Sequence, residues 1–213
     1  VTCRVVIDGS DRGDLLPLAY APFRFGWEPK EQWHEPSAPS QQRLSTDPFF
    51  RTQPVQSPTW VVMGQLQSDQ LVDHCQQEVQ PDGQRLADPF RGACDTFGLE
   101  KTITYGRLPS GLVMLNWPLR GNDWHRGLER AFLSDPCQEA VLFSEMQEHS
   151  LCFADALRKA SDGWLQLGQA FPSSAGSPTP WIAAMPYWRE GRRMVGRTTV
   201  IEQDLLPLDE GKY

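Results

Sequence analysis

PCQEAVLFSEMQEHSLCFADALRKA, residues 136–160, carries the clearest helical pattern in this chain of 213 residues. Its apolar stripe recurs at steps of three or four residues and comprises Leu142, Met146, His149, Phe153 and Leu157. Residues at this spacing share one face of an α-helix, so the stretch predicts a long amphipathic helix. Asp135 is suited to cap it, Pro136 fits the first helical position, and Gly163 is expected to end it.

Short β-rich runs and short helical segments surround this helix. The expected strands are 3–8, 59–66, two strands within 99–117 joined by a Gly/Pro turn, 181–188 and 197–203; the expected short helices are 15–21, 68–79 and 124–133, the last capped by Asp123. Residues 172–180 are expected to form a linker. Because the segments do not alternate as βαβ units, we predict an α+β fold with a mixed β-sheet, one long helix and several short helices.

The amino-acid composition argues against several kinds of binding partner and site. The formal net charge is -7 and the pI is about 5.1, which argues against nucleic-acid and anionic-membrane partners. No apolar run is long enough for a transmembrane helix, and the first residues lack the apolar core of a secretory signal. The five cysteines are scattered without a CxxC pair, so reduced thiols and a cytoplasmic location are expected, with no disulfide framework and no metal site.

A cluster of arginines interrupts this acidic chain in PYWREGRRMVGRTTV, residues 186–200. Guanidinium groups this close repel one another unless anions lie between them, and Glu190, Glu202 or Asp204 could supply those anions. Two interpretations remain open. The cluster could be a cationic surface for a ligand, or it could be a salt-bridge network that ties this turn to its neighbours.

Two separated stretches together resemble a known family. Residues 5–28, VVIDGSDRGDLLPLAYAPFRFGWE, and 186–205, PYWREGRRMVGRTTVIEQDL, resemble segments of the FAD-dependent oxidoreductases of the glutathione-reductase-like flavoprotein class. Residues 116–125 and 145–157 also resemble family sequence, so the resemblance covers nearly the whole chain. It implies a larger FAD-binding flavoprotein fold, with FAD as cofactor and hydride transfer between the flavin and a small organic substrate.

The resemblance also assigns candidate site residues. Asp8, Gly9 and Ser10 form the turn that passes close to the cofactor in the family, and Asp14 follows it as a helix cap or a cofactor contact. The expected catalytic residues are Arg189, Arg192 and Arg193, which would stabilise a substrate carboxylate or a reduced, anionic flavin. The chain departs from the family pattern at Gly9-Ser10, where the family has Ala-Thr, and at Gly191, where it has Ser.

The largest departure is that the sequence lacks the family's GxGxxG fingerprint. That strand–turn–helix binds a dinucleotide diphosphate through free backbone N–H groups and the helix dipole. We therefore expect residues 1–27 to be a remnant of the FAD-binding domain, 28–185 a substrate-side α+β domain, and 186–213 a return segment toward the flavin. A missing FAD-binding segment or domain becomes an expected partner, and this chain alone is expected neither to hold FAD nor to be active.

Other interpretations of the residues remain. The chain could be a truncated, non-catalytic or partner-binding domain, or a module that binds a small anion with its arginine turn and performs no redox chemistry. His149, with Glu145 one turn before it, could act as a general acid or base, although a histidine in an apolar stripe also suits a hydrogen-bonded core. His125 lacks partners at metal-ligand spacing.

Overall fold

The computed structural model describes residues 3–67, 86, 89–118, 120–133, 135–172 and 179–205. Its helices within these ranges are α1 (Leu15–Leu18), α2 (Lys30–Trp33), α3 (Gln41–Thr46), α4 (Phe49–Thr52), α5 (Arg91–Phe97), α6 (Leu99–Thr104), α7 (Pro136–Ala160) and α8 (Glu202–Leu205). The strands are β1 (Phe23–Arg24), β2 (Val62–Leu66), β3 (Leu112–Leu115), β4 (Leu165–Leu167) and β5 (Arg193–Met194). One long helix, several short helices and small antiparallel sheets confirm the predicted α+β class.

The described residues divide into two compact units. The first contains the residues up to 56, residues 126–132 and those from 188 onward, and the second contains residues 57–125 and 133–187. In the first unit β1 pairs antiparallel with β5, which places Arg24 opposite Arg193. The predicted functional division at residues 27 and 185 stays a prediction, because compactness does not reveal which part of a chain serves a cofactor.

The second unit is built on α7 and a three-stranded antiparallel sheet with the order β3-β2-β4. The Asp135 carboxylate caps α7 by accepting a hydrogen bond from Cys137 N at 3.0 Å, and Pro136 occupies the first turn, as predicted. The core of this unit combines one face of α7 with β2, β3 and β4; it includes Leu142, Met146, Phe153, Leu157, Val62, Val113, Leu115 and Leu165. The apolar stripe therefore faces the sheet, and Gly163 lies just beyond the helix with φ +91°.

The predicted strand at the start of 99–117 is wrong, because Leu99–Thr104 forms α6. The threonine hydroxyls donate to the carbonyls one turn back, with Thr102 Oγ1 2.7 Å from Gly98 O. Ile103 is fully buried. Burial and these bonds outweigh the weak β preference of Thr and Ile, since tertiary context routinely overrides intrinsic propensity. The second predicted strand of this stretch is confirmed as β3.

Three further predictions of regular structure are wrong. Residues 3–8 have no strand partner among the described residues, and the side chains of Val5, Val6 and Ile7 are exposed. Within 181–188 only isolated bridges form, at Ile182 and Tyr187, because the prolines limit pairing. Residues 197–203 bend and then enter α8, where Asp204 Oδ2 accepts a hydrogen bond from Ile201 N just before the helix.

The remaining short segments differ in detail. The segment 124–133 forms a 3-10 helix at Leu128–Phe132 after Gly127, which has φ +62°. Residues 68–79 and most of 172–180 lie outside the described residues. Within the part of the chain that is described, no helix combines the length and apolar character needed to cross a membrane.

Candidate functional site

The predicted cofactor turn is held together by its own side chains. Both Ser10 N and Ser10 Oγ donate to Asp8 Oδ1, at 2.9 and 2.7 Å. Leu15 N donates to Asp8 Oδ2 at 3.1 Å, and Asp14 N donates to Ser10 Oγ at 2.9 Å. These hydrogen bonds, above all those from Ser10, lower the pKa of the Asp8 carboxyl. Asp8 and Ser10 thus engage the amide donors at the start of α1. The predicted cap by the Asp14 side chain is wrong, because that side chain makes no cap hydrogen bond.

Asp14 lies between two arginines of the first unit. Its Oδ1 is 3.1 Å from Arg192 Nη1, and its Oδ2 is 3.3 Å from Arg12 Nη2. The Arg192 side chain is only 10% exposed, whereas the Asp14 side chain is 40% exposed. Arg192 Nη2 also donates to the carbonyl of Phe132 at 3.0 Å. The predicted turn at 8–14 and the predicted arginine cluster are therefore brought together through Asp14 and Arg192.

The backbones at Arg12 and Arg192 also meet. Arg192 N donates to Arg12 O at 3.0 Å. A Cβ atom at Gly191 would lie 2.4 Å from Arg12 Cα, which leaves no room for a side chain there. The Gly in this position, which departs from the family's Ser, is therefore explained by close packing of the two segments.

Arg193 belongs to a second ion cluster in the same unit. Its Nη2 donates to Gly26 O and lies 3.5 Å from Glu28 Oε2. Arg24, directly opposite on β1, lies 3.3 Å from the other oxygen of Glu28. Arg24 Nη2 also donates to Thr199 Oγ1 at 3.1 Å. One carboxylate thus separates two guanidinium groups that would otherwise repel each other.

The carboxylates that the sequence analysis expected beside the arginines form hydrogen bonds elsewhere. Glu190 accepts from Gln56 N at 2.8 Å, and Glu202 accepts from the backbone and hydroxyl of Ser37. Asp204 accepts from Ile201 N. The carboxylates on Arg192 and Arg193 are instead Asp14 and Glu28, more than 160 residues away in sequence. Arg189 is partly buried on the same segment.

The second unit contains a cavity of about 370 Å³ that sequence reasoning did not find. It is lined by Pro89, Arg120, Gly121, Asp123, His125 and His149. These residues come from the loop before α5, the loop after β3 and one face of α7. The cavity is within the size range of small-molecule sites, which is roughly 300–1,000 Å³. Its wall brings two imidazoles, a guanidinium and a carboxylate together.

Asp123 organises the polar wall of this cavity. Its side chain is 1% exposed, with Oδ2 2.8 Å from His125 Nε2 and Oδ1 3.2 Å from Gly121 N. The other nitrogen of this ring, His125 Nδ1, lies 2.8 Å from Ser57 Oγ. The carboxylate can only accept when ionised, so His125 carries a proton on Nε2, and in the neutral ring Nδ1 accepts from Ser57. The predicted helix-capping role of Asp123 is wrong, because it bonds to these groups instead.

His149 lies half buried on α7, at the position that the apolar stripe predicted. Its Nε2 is 3.1 Å from the carbonyl oxygen of Gly121, and its ring packs against Phe90 and Trp124 with centroids 5.1 and 5.4 Å apart. Burial is the main cause that lowers the pKa of His149, so the ring is neutral at neutral pH. The Gly121 carbonyl, the charge of Asp123 and a backbone hydrogen bond to Asp123 oppose that effect, and the nearby His125 adds to it.

The Asp8–Ser10 turn does not fit a diphosphate group. A dinucleotide cradle needs backbone N–H groups that point at the phosphates from a glycine-rich turn at a helix N-terminus. At the Asp8–Ser10 turn those donors already bond to Asp8 and Ser10, and α1 is only four residues long. No group of three or more His, Cys, Asp or Glu side chains in the described ranges is arranged to hold a metal ion.

Only some of the residues in the cavity wall and in the ion pairs of the first unit could be identified from the sequence. The NDWH motif at 122–125 places an Asp two residues before a His, but nothing local indicated Ser57, which is 68 positions away from His125. Arg120 carried no motif at all. In the first unit Asp14 was singled out, whereas Arg12 and Glu28 were not.

Comparison with known proteins gives one match. The family described as FAD dependent oxidoreductase matches residues 1–211, which is nearly the whole chain and includes both units. No curated protein and no solved structure matches the chain significantly.

Proposed function

The chain belongs to the FAD-dependent oxidoreductase family, and on that premise we propose that it forms the substrate-side part of an enzyme that transfers hydride between FAD and a small organic substrate. The single observation that carries this proposal is the family match over residues 1–211. The family implies FAD as the cofactor. The flavin, when bound, would supply the redox chemistry, and the protein would supply position and charge.

We also propose that the diphosphate of FAD is held by a segment other than the described residues. The support is chemical: the amide donors of the Asp8–Ser10 turn are engaged within the chain, and the printed sequence has no GxGxxG. A separate FAD-binding segment or domain is then a required partner. This arrangement corresponds to the glutathione-reductase-like class that residues 5–28 and 186–205 resemble.

Arg189 and Arg193 remain the proposed anion-stabilising residues, whereas Arg192 has a positioning role. Arg192 is engaged with Asp14 and the Phe132 carbonyl, so its role is to position the turn. Arg193 shares Glu28 with Arg24 and is 40% exposed, which leaves part of its guanidinium accessible. A carboxylate of the substrate or a reduced flavin would be stabilised by such a charge.

The non-catalytic and small-anion alternatives have less support. Arg192 already faces Asp14 and a backbone carbonyl of the protein, which weakens its attraction for a free anion. A partner-binding domain would need no cavity with two imidazoles. The flavoprotein proposal accounts for the family match over residues 1–211.

The spectrum of the protein expressed from its natural gene, with whatever segments that gene encodes, tests this proposal. We expect bound flavin, seen as its visible absorbance band, and bleaching of that band when a substrate is added without oxygen. Arg193→Gln should slow the bleaching, whereas Arg197→Gln, an exposed arginine four residues away, should not. A colourless protein that does not take up flavin would overturn the proposal.

A further inference from the structure

The cavity of the second unit presents groups that match two parts of one small molecule. We propose that it binds an organic acid that carries a hydroxyl group beside its carboxylate, with Arg120 pairing with the carboxylate and His149 accepting the hydroxyl hydrogen. Its role as the substrate site rests on the proposed function, but binding itself does not. The inference names the substrate class, which the family membership leaves open.

Arg120 is the first argument. Its backbone has φ +55°, in the left-handed region that favours glycine, although it is an arginine. Strained backbone of this kind is concentrated at functional sites, where the surrounding structure holds it in place. The guanidinium is a permanent cation that can donate two parallel hydrogen bonds to a carboxylate. A residue with this charge, held in this conformation on a cavity wall, is suited to an anionic ligand.

His149 is the second argument. The Gly121 carbonyl can only accept a hydrogen bond, so the 3.1 Å contact places the ring proton on Nε2. The neutral ring then carries its lone pair on Nδ1. Burial keeps the ring neutral by lowering its pKa. A neutral imidazole on the cavity wall can accept a hydrogen bond from an alcohol, which a protonated imidazole cannot.

The hydrogen bonds of the buried carboxylate are the third argument, because they fix the polar wall before a ligand arrives. Asp123 is 1% exposed and accepts hydrogen bonds from His125 and Gly121 N. His125 in turn engages Ser57. In a hydrogen-bonded wall held in this way, Arg120 provides the cationic group for a carboxylate.

The volume of the cavity is the fourth argument. At about 370 Å³ it has room for more than a short-chain acid, and Pro89 contributes an apolar wall. An organic acid with a ring or a branched chain next to the hydroxyl would use that space. Mandelate combines a phenyl ring, a hydroxyl and a carboxylate, and it is a suitable probe for this class.

Ligand-observed NMR titration of the 213-residue chain with three matched probes tests the proposal. Mandelate carries both polar groups, phenylacetate lacks the hydroxyl, and 1-phenylethanol lacks the carboxylate. We expect the order of affinity mandelate, phenylacetate, 1-phenylethanol, with a loss of about tenfold or more when the carboxylate is missing, since hydrogen bonds to charged groups are strong. Flavin is absent from the assay.

Variants assign the two groups. Arg120→Gln should weaken mandelate binding about tenfold or more and leave 1-phenylethanol unchanged, and Arg120→Lys should restore part of the loss. His149→Phe should remove the preference for mandelate over phenylacetate. The matched control is Arg158→Gln, a charge change on the exposed side of α7 outside the cavity wall. Circular dichroism of each variant checks that it is folded.

Equal binding of the three probes, or mandelate binding that survives Arg120→Gln, would overturn the inference. If none of the three probes binds, the inference is also overturned. None of these outcomes affects the proposed function, which is tested separately by the flavin spectrum. Conversely, mandelate binding by a protein that never takes up flavin would support the site and contradict the redox role.

Discussion

Arg192 Nη1 lies 3.1 Å from Asp14 Oδ1, an ion pair between two residues that are 178 positions apart in sequence. Asp14 also meets Arg12, at 3.3 Å. One carboxylate therefore connects the two stretches on which the family resemblance rests. Asp14 also places a negative charge between the guanidinium groups of Arg12 and Arg192, which would otherwise repel each other.

Replacement of Asp14 by Asn should destabilise the protein. The change leaves Arg192, only 10% exposed, and Arg12 without their shared counter-charge. Breaking a buried ion pair lowers the free energy of unfolding by about 3–5 kcal/mol, and breaking an exposed pair lowers it by less than about 1 kcal/mol. Because the Asp14 carboxylate is partly exposed, we expect a loss of about 1–3 kcal/mol. Urea denaturation measures the change. Asp11→Asn, an exposed neighbour of the same type, is the control, and an equal effect there would contradict the assignment.

Two glycines test the close approach of the segments. Gly191→Ala should destabilise the protein by about 1–3 kcal/mol, because the new Cβ would lie 2.4 Å from Arg12 Cα and force the backbones apart. Gly9→Ala meets nothing within 4 Å and should change the free energy of unfolding little. Thermal unfolding of the two variants compares them. If Gly191→Ala is tolerated as well as Gly9→Ala, the packing of residues 12 and 191 is not as described.

The buried ring of His149 should make stability depend on pH. Its pKa in the folded protein is lowered from 6.5, chiefly by burial, so the unfolded chain takes up this proton first as the pH falls. The contribution of the neutral His149 ring to the free energy of unfolding is therefore fully present above pH 6.5. It is lost as the pH falls from 6.5 toward the pKa of this ring in the folded protein.

Comparison with His149→Gln isolates this effect from the other titrating groups. The free energy of unfolding of the protein with His149, minus that of the variant, should become smaller as the pH is lowered from about 7.5 to about 5. Chemical denaturation at each pH provides both values. A difference that grows toward acid pH would show that the folded state binds the proton more tightly, in contradiction to the burial of the ring.

Local patterns predicted the parts of the fold that local forces determine. The helix at 136–160 was readable because its stripe, its Asp135 cap and Pro136 all agree. Residues 99–104 were misread because Thr and Ile favour strands in general, and only burial of Ile103 and the threonine hydrogen bonds decide for a helix. Such decisions depend on contacts that a single sequence does not display.

The same distinction between local patterns and tertiary contacts applies to the candidate sites. Asp14 and Arg192 were both identified from the sequence, but their pairing is set by the tertiary fold. The cavity was missed entirely as a site. Ser57, His125 and His149 are far apart in sequence, and Arg120 is conspicuous only through its backbone conformation. The resemblance named the cofactor, but geometry was needed to show that the amides of the Asp8–Ser10 turn are already occupied.

The most direct test of the account is a titration of the purified 213-residue chain with FAD, followed by flavin absorbance and fluorescence after gel filtration. We predict that no FAD remains with the chain, because its sequence has no GxGxxG and the amide donors of the Asp8–Ser10 turn are engaged within the chain. Flavin should remain with the protein that its natural gene encodes. Tight, stoichiometric retention of FAD by the 213 residues alone would contradict the account and would make the arginine turn at 189–193 the first place to look for the diphosphate site.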